Sequence, residues 1–229
     1  MTLRVATYNI HRCIGCDGVE RPKRIAAVLR EMNADVAALQ EVAFAVEPYR
    51  NNILTYLARA MNAIAIAGPT LLEKKGHYGN AILSRIPPER IDRLDISVPG
   101  REPRGAIAVK LRVNGKSIKI VATHLGLRPA ERRYQMNHLS SLVNDTEAET
   151  TILLGDFNEW LSWGRPLRWM NRRFGKTPAP ATFPSRRPVL ALDRIWVDPA
   201  DRLISLDCHR QMPARLASDH LPLVANVAI

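Results

Sequence analysis

Thr151-Ile152-Leu153-Leu154 reads as a short buried strand, and Gly155-Asp156-Phe157-Asn158 as the turn at its carboxyl end. The turn delivers an acid and an amide, two residues apart, to a sheet edge, where ligands of α/β sheets collect. Alone, Asp-x-Asn after a strand is often only a turn. Here polar residues recur at other predicted strand ends: Asn9, Glu41, His124, Asp193 and the triplet Ser218-Asp219-His220.

Working outward, apolar runs predict further strands at Leu3–Asn9, Asp35–Gln40, Asn80–Ser84, Ala106–Val113, Ser117–Thr123, Leu192–Val197 and Leu221–Val227. Helices fall between several of them. Pro22 fits a first helical position ahead of the stripe Ile25, Val28, Leu29 and Met32. Leu54, Leu57, Ala58 and Met61 repeat that stripe, and Pro129 opens a third helix carrying Met136, Leu139 and Val143. A fourth helix is expected near Trp163–Phe174, with Trp163, Leu167, Met170 and Phe174 on one face. Asn114-Gly115 between two apolar runs is a hairpin signal, so the sheets are mixed. The segments around Ile86-Pro87-Pro88 and Thr177–Pro188 read as proline-rich loops too short to link domains. The expected fold class is α/β: one domain over residues 1–229, a four-layer sandwich of two packed mixed sheets flanked by helices.

With 229 residues, 46% of them hydrophobic, the chain can bury a full core. No apolar run approaches the roughly 20 residues that span a bilayer. The start lacks signal-peptide architecture, because Asn9, His11 and Arg12 interrupt any apolar core. A cytoplasmic location is the expectation. Lys plus Arg is 33 against 22 Asp plus Glu, a formal charge of +11, which favours polyanionic partners. Arginine-rich composition alone would give the same figure. Trp160 to Arg187 carries Arg165, Arg168, Arg172, Arg173, Lys176, Arg186 and Arg187 with no acid. Cys13 and Cys16 have metal-ligand spacing but no second pair, and with Cys208 they read as reduced thiols.

Glu41 and Asn9, directly after buried strands, are poor core material and good ligands for a hard cation such as Mg²⁺, which takes one or two carboxylates plus waters and phosphate oxygens. Each alone is more often a strand-end cap. His124 follows Ile120-Val121-Ala122-Thr123, and His220 follows Asp219 before the last strand. Near neutral pH an imidazole can donate to or accept from a phosphoryl oxygen. Asp193 is the acid available to fix the tautomer of His220, although a salt bridge to a basic neighbour is an equal reading for that residue.

Tyr8-Asn9, Leu39-Gln40-Glu41, Gly79-Asn80-Ala81-Ile82-Leu83-Ser84, Thr123-His124-Leu125, Gly155-Asp156-Phe157-Asn158, Leu192-Asp193-Arg194-Ile195 and Ser218-Asp219-His220 occur in a telling order. In that order, across essentially the whole chain, the sequence resembles the endonuclease/exonuclease/phosphatase superfamily. The resemblance implies Mg²⁺ (or Mn²⁺) ligation by Glu41, with Asn9 and Asp219 in or near the metal site. It implies that Asp156 orients or deprotonates the attacking water and that Asn158 holds a phosphoryl oxygen. His220, paired with Asp193, would stabilise transition-state charge. His124 would protonate the leaving group or bind phosphate, and Asn80 and Arg104 would contact phosphate. The chain has neither a Gly-x-Ser-x-Gly elbow nor a Walker loop, so direct attack by water is the simplest mechanism.

Members specific for inositol phosphates carry an arginine after Asp-x-Asn and a Trp-Cys-Asp-Arg segment. Glu159-Trp160 and Ala191-Leu192-Asp193-Arg194 stand here instead, against that subclass. Arg165, Arg168 and Arg172, flanked by Trp169, offer a basic face that could track a nucleic-acid backbone or lie on anionic lipid. A solvated helix face would look the same. The favoured function is a Mg²⁺-dependent phosphodiesterase acting on nucleic acid. The alternatives are a phospholipid-headgroup phosphodiesterase or phosphatase and, from another class, an idle nucleic-acid- or lipid-binding domain.

Overall fold

A computed structural model describes residues 1–44, 52–73, 76–144, 148–161 and 163–229. Its strands in chain order are β1 Thr2–Asn9, β2 Val36–Phe44, β3 Ile64–Glu73, β4 Gly76–Ser84, β5 Pro88–Asp95, β6 Gly105–Val113, β7 Lys116–His124, β8 Thr150–Asp156, β9 Asp193–Asp198, β10 Leu203–Cys208 and β11 Leu223–Ala228. The helices are α1 Pro22–Met32, α2 Ile53–Met61, α3 Pro129–Val143, α4 Arg165–Phe174 and the single turn α5 Ala214–Ala217. One sheet has the order β10-β11-β1-β2-β4-β3 and the other β5-β6-β7-β8-β9. No helix among the described residues is long and apolar enough to cross a membrane.

Local chemistry explains the elements. Pro22 starts α1, and Asn33, left-handed at φ 46°, ends it. The Asn52 side chain caps α2 by accepting from the Leu54 and Thr55 amides. Asn114 and Gly115 both take positive φ (50° and 80°), the conformation that closes the two-residue hairpin between β6 and β7.

Three apolar layers follow from these faces. Val5, Val36, Ala38 and Ile82 of one sheet meet Val109, Ile120, Ile152 and Ile195 of the other. Ile25, Leu29 and Met32 of α1, with Leu57 of α2, cover the outer side of the first sheet. Met136, Leu139, Leu167, Met170 and Phe174 cover the second, against Val121, Leu153 and Trp196. The result is the expected four-layer α/β sandwich.

The parallel pairs, β1 with β2 and β7 with β8, sit inside the sheets, and α1 and α3 make the crossovers. Asn9, His124 and Asp156 end β1, β7 and β8 at one edge of the sandwich, and Glu41 lies beside them within β2. That placement is where α/β sheets bind ligands.

Several boundaries differ from expectation. β2 does not stop at Gln40 but continues to Phe44 through a bulge that sets Gln40 and Glu41 against the single residue Asn80. Gly155 is no terminal turn. It lies within β8 at φ 149°, and a Cβ there would stand 2.0 Å from the Thr123 carbonyl oxygen. Only glycine lets β7 and β8 approach so closely. Trp163 lies outside α4 and is 69% exposed, so it takes no part in the buried face. Pro88 opens a strand instead of extending a loop. Strands β3, β5 and β10 were not expected, and all three are sheet edges.

Candidate active site

Asp156, buried at the end of β8, is the hub of the site. Its Oδ1 accepts from the Asn158 amide (2.9 Å), a local loop closed by the left-handed φ of 49° at Asn158. Its Oδ2 accepts from Asn9 Nδ2 at 3.0 Å, across the gap between the two sheets. The same Asn9 nitrogen donates to Glu41 Oε1 at 2.9 Å, and Asn9 Oδ1 accepts from the His11 amide at 3.1 Å. These partners settle which end of the amide is which. Glu41 reaches this point because the β2 bulge gives it φ 59°.

Two histidines flank Asp156. His124 Nε2 is 3.6 Å and His220 Nε2 3.7 Å from Asp156 Oδ2. Asn158 Nδ2 donates to the Leu125 carbonyl (2.9 Å) and lies 3.1 Å from His124 Nε2, while Arg104 Nη1 lies 3.5 Å from His124 Nδ1. A neutral ring has a single acceptor nitrogen, so only one of these two contacts is a hydrogen bond at a time. Burial, reinforced by the Arg104 guanidinium, pulls the His124 pKa down to about 3 against the nearby Asp156. His220 is the reverse. Burial disfavours its charge, but Asp193 and Asp156 outweigh that and raise it to about 10. Its Nδ1 donates to Asp193 Oδ2 at 2.8 Å, an oxygen that also accepts from Thr182 Oγ1 at 2.6 Å.

Two groups of side chains invite a cation. Asp156, Asp193 and His220 place ligand atoms within 4.8 Å of one another. His220 Nδ1 is already engaged with Asp193 Oδ2, so only its Nε2 remains to serve as a ligand there. Glu41 and Asp219 offer carboxylate oxygens near Asn9, a hard donor set that fits Mg²⁺. Asp219 is tied to Asn9 through Ser218, whose Oγ donates to the Asn9 carbonyl at 2.7 Å and approaches Asp219 Oδ1 at 3.3 Å. Asn9 itself turns its amide hydrogens toward both acids. It therefore positions Glu41 and Asp156 beside the donor set rather than lending its side-chain oxygen to it.

The remaining expected residues divide. Arg104 is buried beside His124 and doubly paired with Glu102 at 3.0 and 3.1 Å. Asn80, opposite the bulge, donates to the Gly105 carbonyl. Arg165, Arg168 and Arg172 stay out of the cleft. They line a groove of about 380 Å³ between α3 and α4 with Trp169 and Arg133, the last not foreseen. Cys13 is buried, and burial pushes its thiol up to about 12, with Glu20 adding to the effect. Cys16 Sγ packs on Ser185 Oγ and the Ser218 carbonyl, so the pair forms no metal site.

Sequence reasoning missed several supports. The Arg132–Glu159 pair is buried, with Arg132 Nη2 and Nε 3.0 and 3.2 Å from Glu159 Oε2. Arg132 Nη1 also donates to the Leu127 carbonyl at 2.6 Å, so one guanidinium ties together the loops that follow His124 and Asn158. Tyr78 faces Glu41, and burial together with that carboxylate raises its pKa, keeping the phenol protonated. Thr182 steadies Asp193. A capping-style spacing signals none of these, although an acid directly after Asp-x-Asn marked Glu159 as unusual.

The comparisons agree with this geometry. The model of the Endonuclease/Exonuclease/phosphatase family matches residues 6–220. The chain is 33% identical over 251 aligned positions to the uncharacterized protein YbhP of Escherichia coli, covering 99% of this chain and 96% of that one. Among solved structures, an endonuclease/exonuclease/phosphatase from Beutenbergia cavernae superposes with a TM-score of 0.79 at 22% identity, over 100% of this chain and 72% of that one. D. rerio TDP2 complexed with single strand DNA product gives 0.73 at 16%, over 100% and 99%. At such identities the two structures speak for the fold. The family match, the YbhP likeness and the assembled cleft lead to one conclusion: the chain belongs to the endonuclease/exonuclease/phosphatase family.

Proposed function

We propose that this protein, acting as one domain over residues 1–229, is a Mg²⁺-dependent phosphodiesterase that cleaves nucleic acid by direct attack of water. The observation that carries this reading is the convergence on Asp156 Oδ2 of Asn9 Nδ2 at 3.0 Å, His124 Nε2 at 3.6 Å and His220 Nε2 at 3.7 Å. A buried carboxylate between a neutral imidazole and a charged one suits a base that orients water beside an anionic phosphoryl group.

Glu41 and Asp219 would hold the cation, with Asn9 setting the angle of Glu41. When bound, Mg²⁺ would supply Lewis-acid neutralisation of phosphate oxygens. Asp156 orients the attacking water and takes its proton. His220, kept charged by Asp193, donates to a non-bridging oxygen as charge builds there. His124 is neutral, and with Nδ1 accepting from Arg104 its Nε2 carries the proton, so of the two roles expected of it, donating to phosphate fits and protonating the leaving group does not. Arg104 holds the ring of His124, Asn158 shares the phosphate contact, and Asn80 lines the approach. With Asp156 engaged as the base and held by Asn9, direct attack by water without a covalent enzyme intermediate is the simplest course.

Nucleic acid is favoured because Arg133, Arg165, Arg168 and Arg172 share one groove with Trp169, a polyanion track with a stacking surface. The complex of TDP2 with single strand DNA product supports the same class. The exposed side chains of Leu127, Trp160 and Trp163 favour the second reading, a phospholipid headgroup, because aromatic and basic groups together suit a lipid interface.

The test is hydrolysis of bis-p-nitrophenyl phosphate with and without chelator, followed by single- and double-stranded DNA, RNA and phospholipid vesicles at low salt. Activity abolished by chelator and restored by Mg²⁺ or Mn²⁺ supports the chemistry. Turnover unchanged in excess chelator would refute the metal requirement. Cleavage of phospholipid with no cleavage of any nucleic acid would refute the substrate class alone.

A further inference from the structure

On the far side of β9 from the catalytic cleft lies a second cavity, of about 390 Å³. We propose that it binds a small oxyanion of the phosphate class, held by Arg194, Lys176 and Asn171. Side chains along a strand alternate between faces. Ile195 and Val197 join the core between the sheets, with Asp193 on the same side, whereas Arg194 and Trp196 point toward α4. The cavity and the cleft are therefore back to back on one strand.

Arg194 is only 5% exposed, and its Nη1 has no hydrogen-bond partner among the described residues. A buried guanidinium left in that state is costly, and its five donors call for an acceptor. Asp193 and Glu159 act on it only through space, and burial outweighs both, lowering its pKa. Glu159 is already engaged by Arg132.

The cavity supplies two more donors. Lys176 lines it as a second cation. Asn171 Oδ1 accepts from Trp196 Nε1 at 3.1 Å, which fixes the amide and leaves its NH₂ free to donate. Thr177 is spent on the Ile195 carbonyl. No acidic side chain among the described residues lines the cavity. Two cations and an amide donor without an acid form a site for a compact, multiply charged oxyanion.

The site is tested with inorganic phosphate by titration calorimetry in chelator, on a His220→Ala background that removes the imidazolium of the cleft. A 5′-phosphorylated and an unphosphorylated dinucleotide form the second arm. Saturable phosphate binding is expected, weakened at least about tenfold by Lys176→Glu and by Arg194→Gln, where tenfold corresponds to about 1.4 kcal/mol. Lys176 is exposed, so its variant tests the site even if Arg194→Gln unfolds. Binding of the free ion identifies a phosphate site, and binding of only the phosphorylated dinucleotide identifies a site for a substrate end group. Either outcome sustains the proposal if Lys176→Glu weakens it. Binding that Lys176→Glu leaves unchanged, or no binding in either arm, overturns it.

Discussion

His124 and His220 stand almost equally far from one carboxylate oxygen, at 3.6 and 3.7 Å, yet one ring is neutral and the other charged. Both are buried, so desolvation acts alike on each. The difference lies on their other side. His124 backs onto the Arg104 guanidinium, whereas His220 backs onto Asp193. Burial pushes both rings toward the neutral form; Arg104 reinforces that at His124, whereas Asp193 and Asp156 overturn it at His220. The cleft thereby acquires one neutral ring and one cation from the same residue type.

The strongest way to break this comparison is to remove each ring. His220→Ala should lower kcat by about 10²–10³-fold with little change in KM, because charge stabilisation is felt mainly in the transition state. His124→Ala should cost less, on the order of tenfold, and should raise KM as well. Equal losses in kcat would end the division of roles.

Acid and base titration of stability separates the rings next. In the unfolded chain both take up a proton near 6.5. His124, lowered to about 3, adds stability that is present above 6.5 and lost as pH falls toward 3. His220, raised to about 10, adds stability that is full below 6.5 and lost as pH rises through 10. Urea midpoints measured in chelator should show His124→Asn flattening the acid limb and His220→Asn the alkaline one. Loss of the same limb in both variants would contradict the assignment.

Arg104→Met offers a finer cut. Without the guanidinium the His124 pKa should rise by roughly one unit or more, read by NMR titration, while that of His220 stays put. The smallest effect is expected far from both rings. Neutralising Arg165, Arg168 or Arg172 should reduce the log–log salt slope of DNA binding by roughly 0.7–0.9 per lost phosphate contact. Turnover of a small phosphodiester should be unaffected, and an unchanged slope would remove the groove from the substrate path.

Central strands were legible in the sequence and, apart from β9, edge strands were not, for a physical reason. β1, β2, β7 and β8 are covered on both faces and read as apolar runs. β5 (Pro-Glu-Arg-Ile-Asp-Arg-Leu-Asp) is an edge, and its mostly exposed charged side chains defend it against pairing with another chain. β3 carries Pro69, tolerable where one side of the ladder is open, and β10 buries only Leu206, so it shows no apolar run. Site residues could be found at strand ends without knowing the strands' true lengths. Glu41 was singled out although β2 runs past it, because a bulge re-aims a side chain much as a strand end does. What stayed hidden depends on distance alone. Nothing local marks Arg132, Thr182 or Tyr78 as partners of Glu159, Asp193 and Glu41.

The Asn9–Asp156 hydrogen bond joins residues 147 positions apart, one on each sheet. The cleft is consequently a property of the seam and of neither sheet by itself. Each sheet could keep its ladders intact while the layer of Val, Ile and Leu between them loosened, as in a molten globule. Turnover would then vanish while the far-ultraviolet circular dichroism hardly changed. Catalysis, in such a molecule, is a gauge of how tightly two halves are pressed together, and in mild denaturant it should fail first.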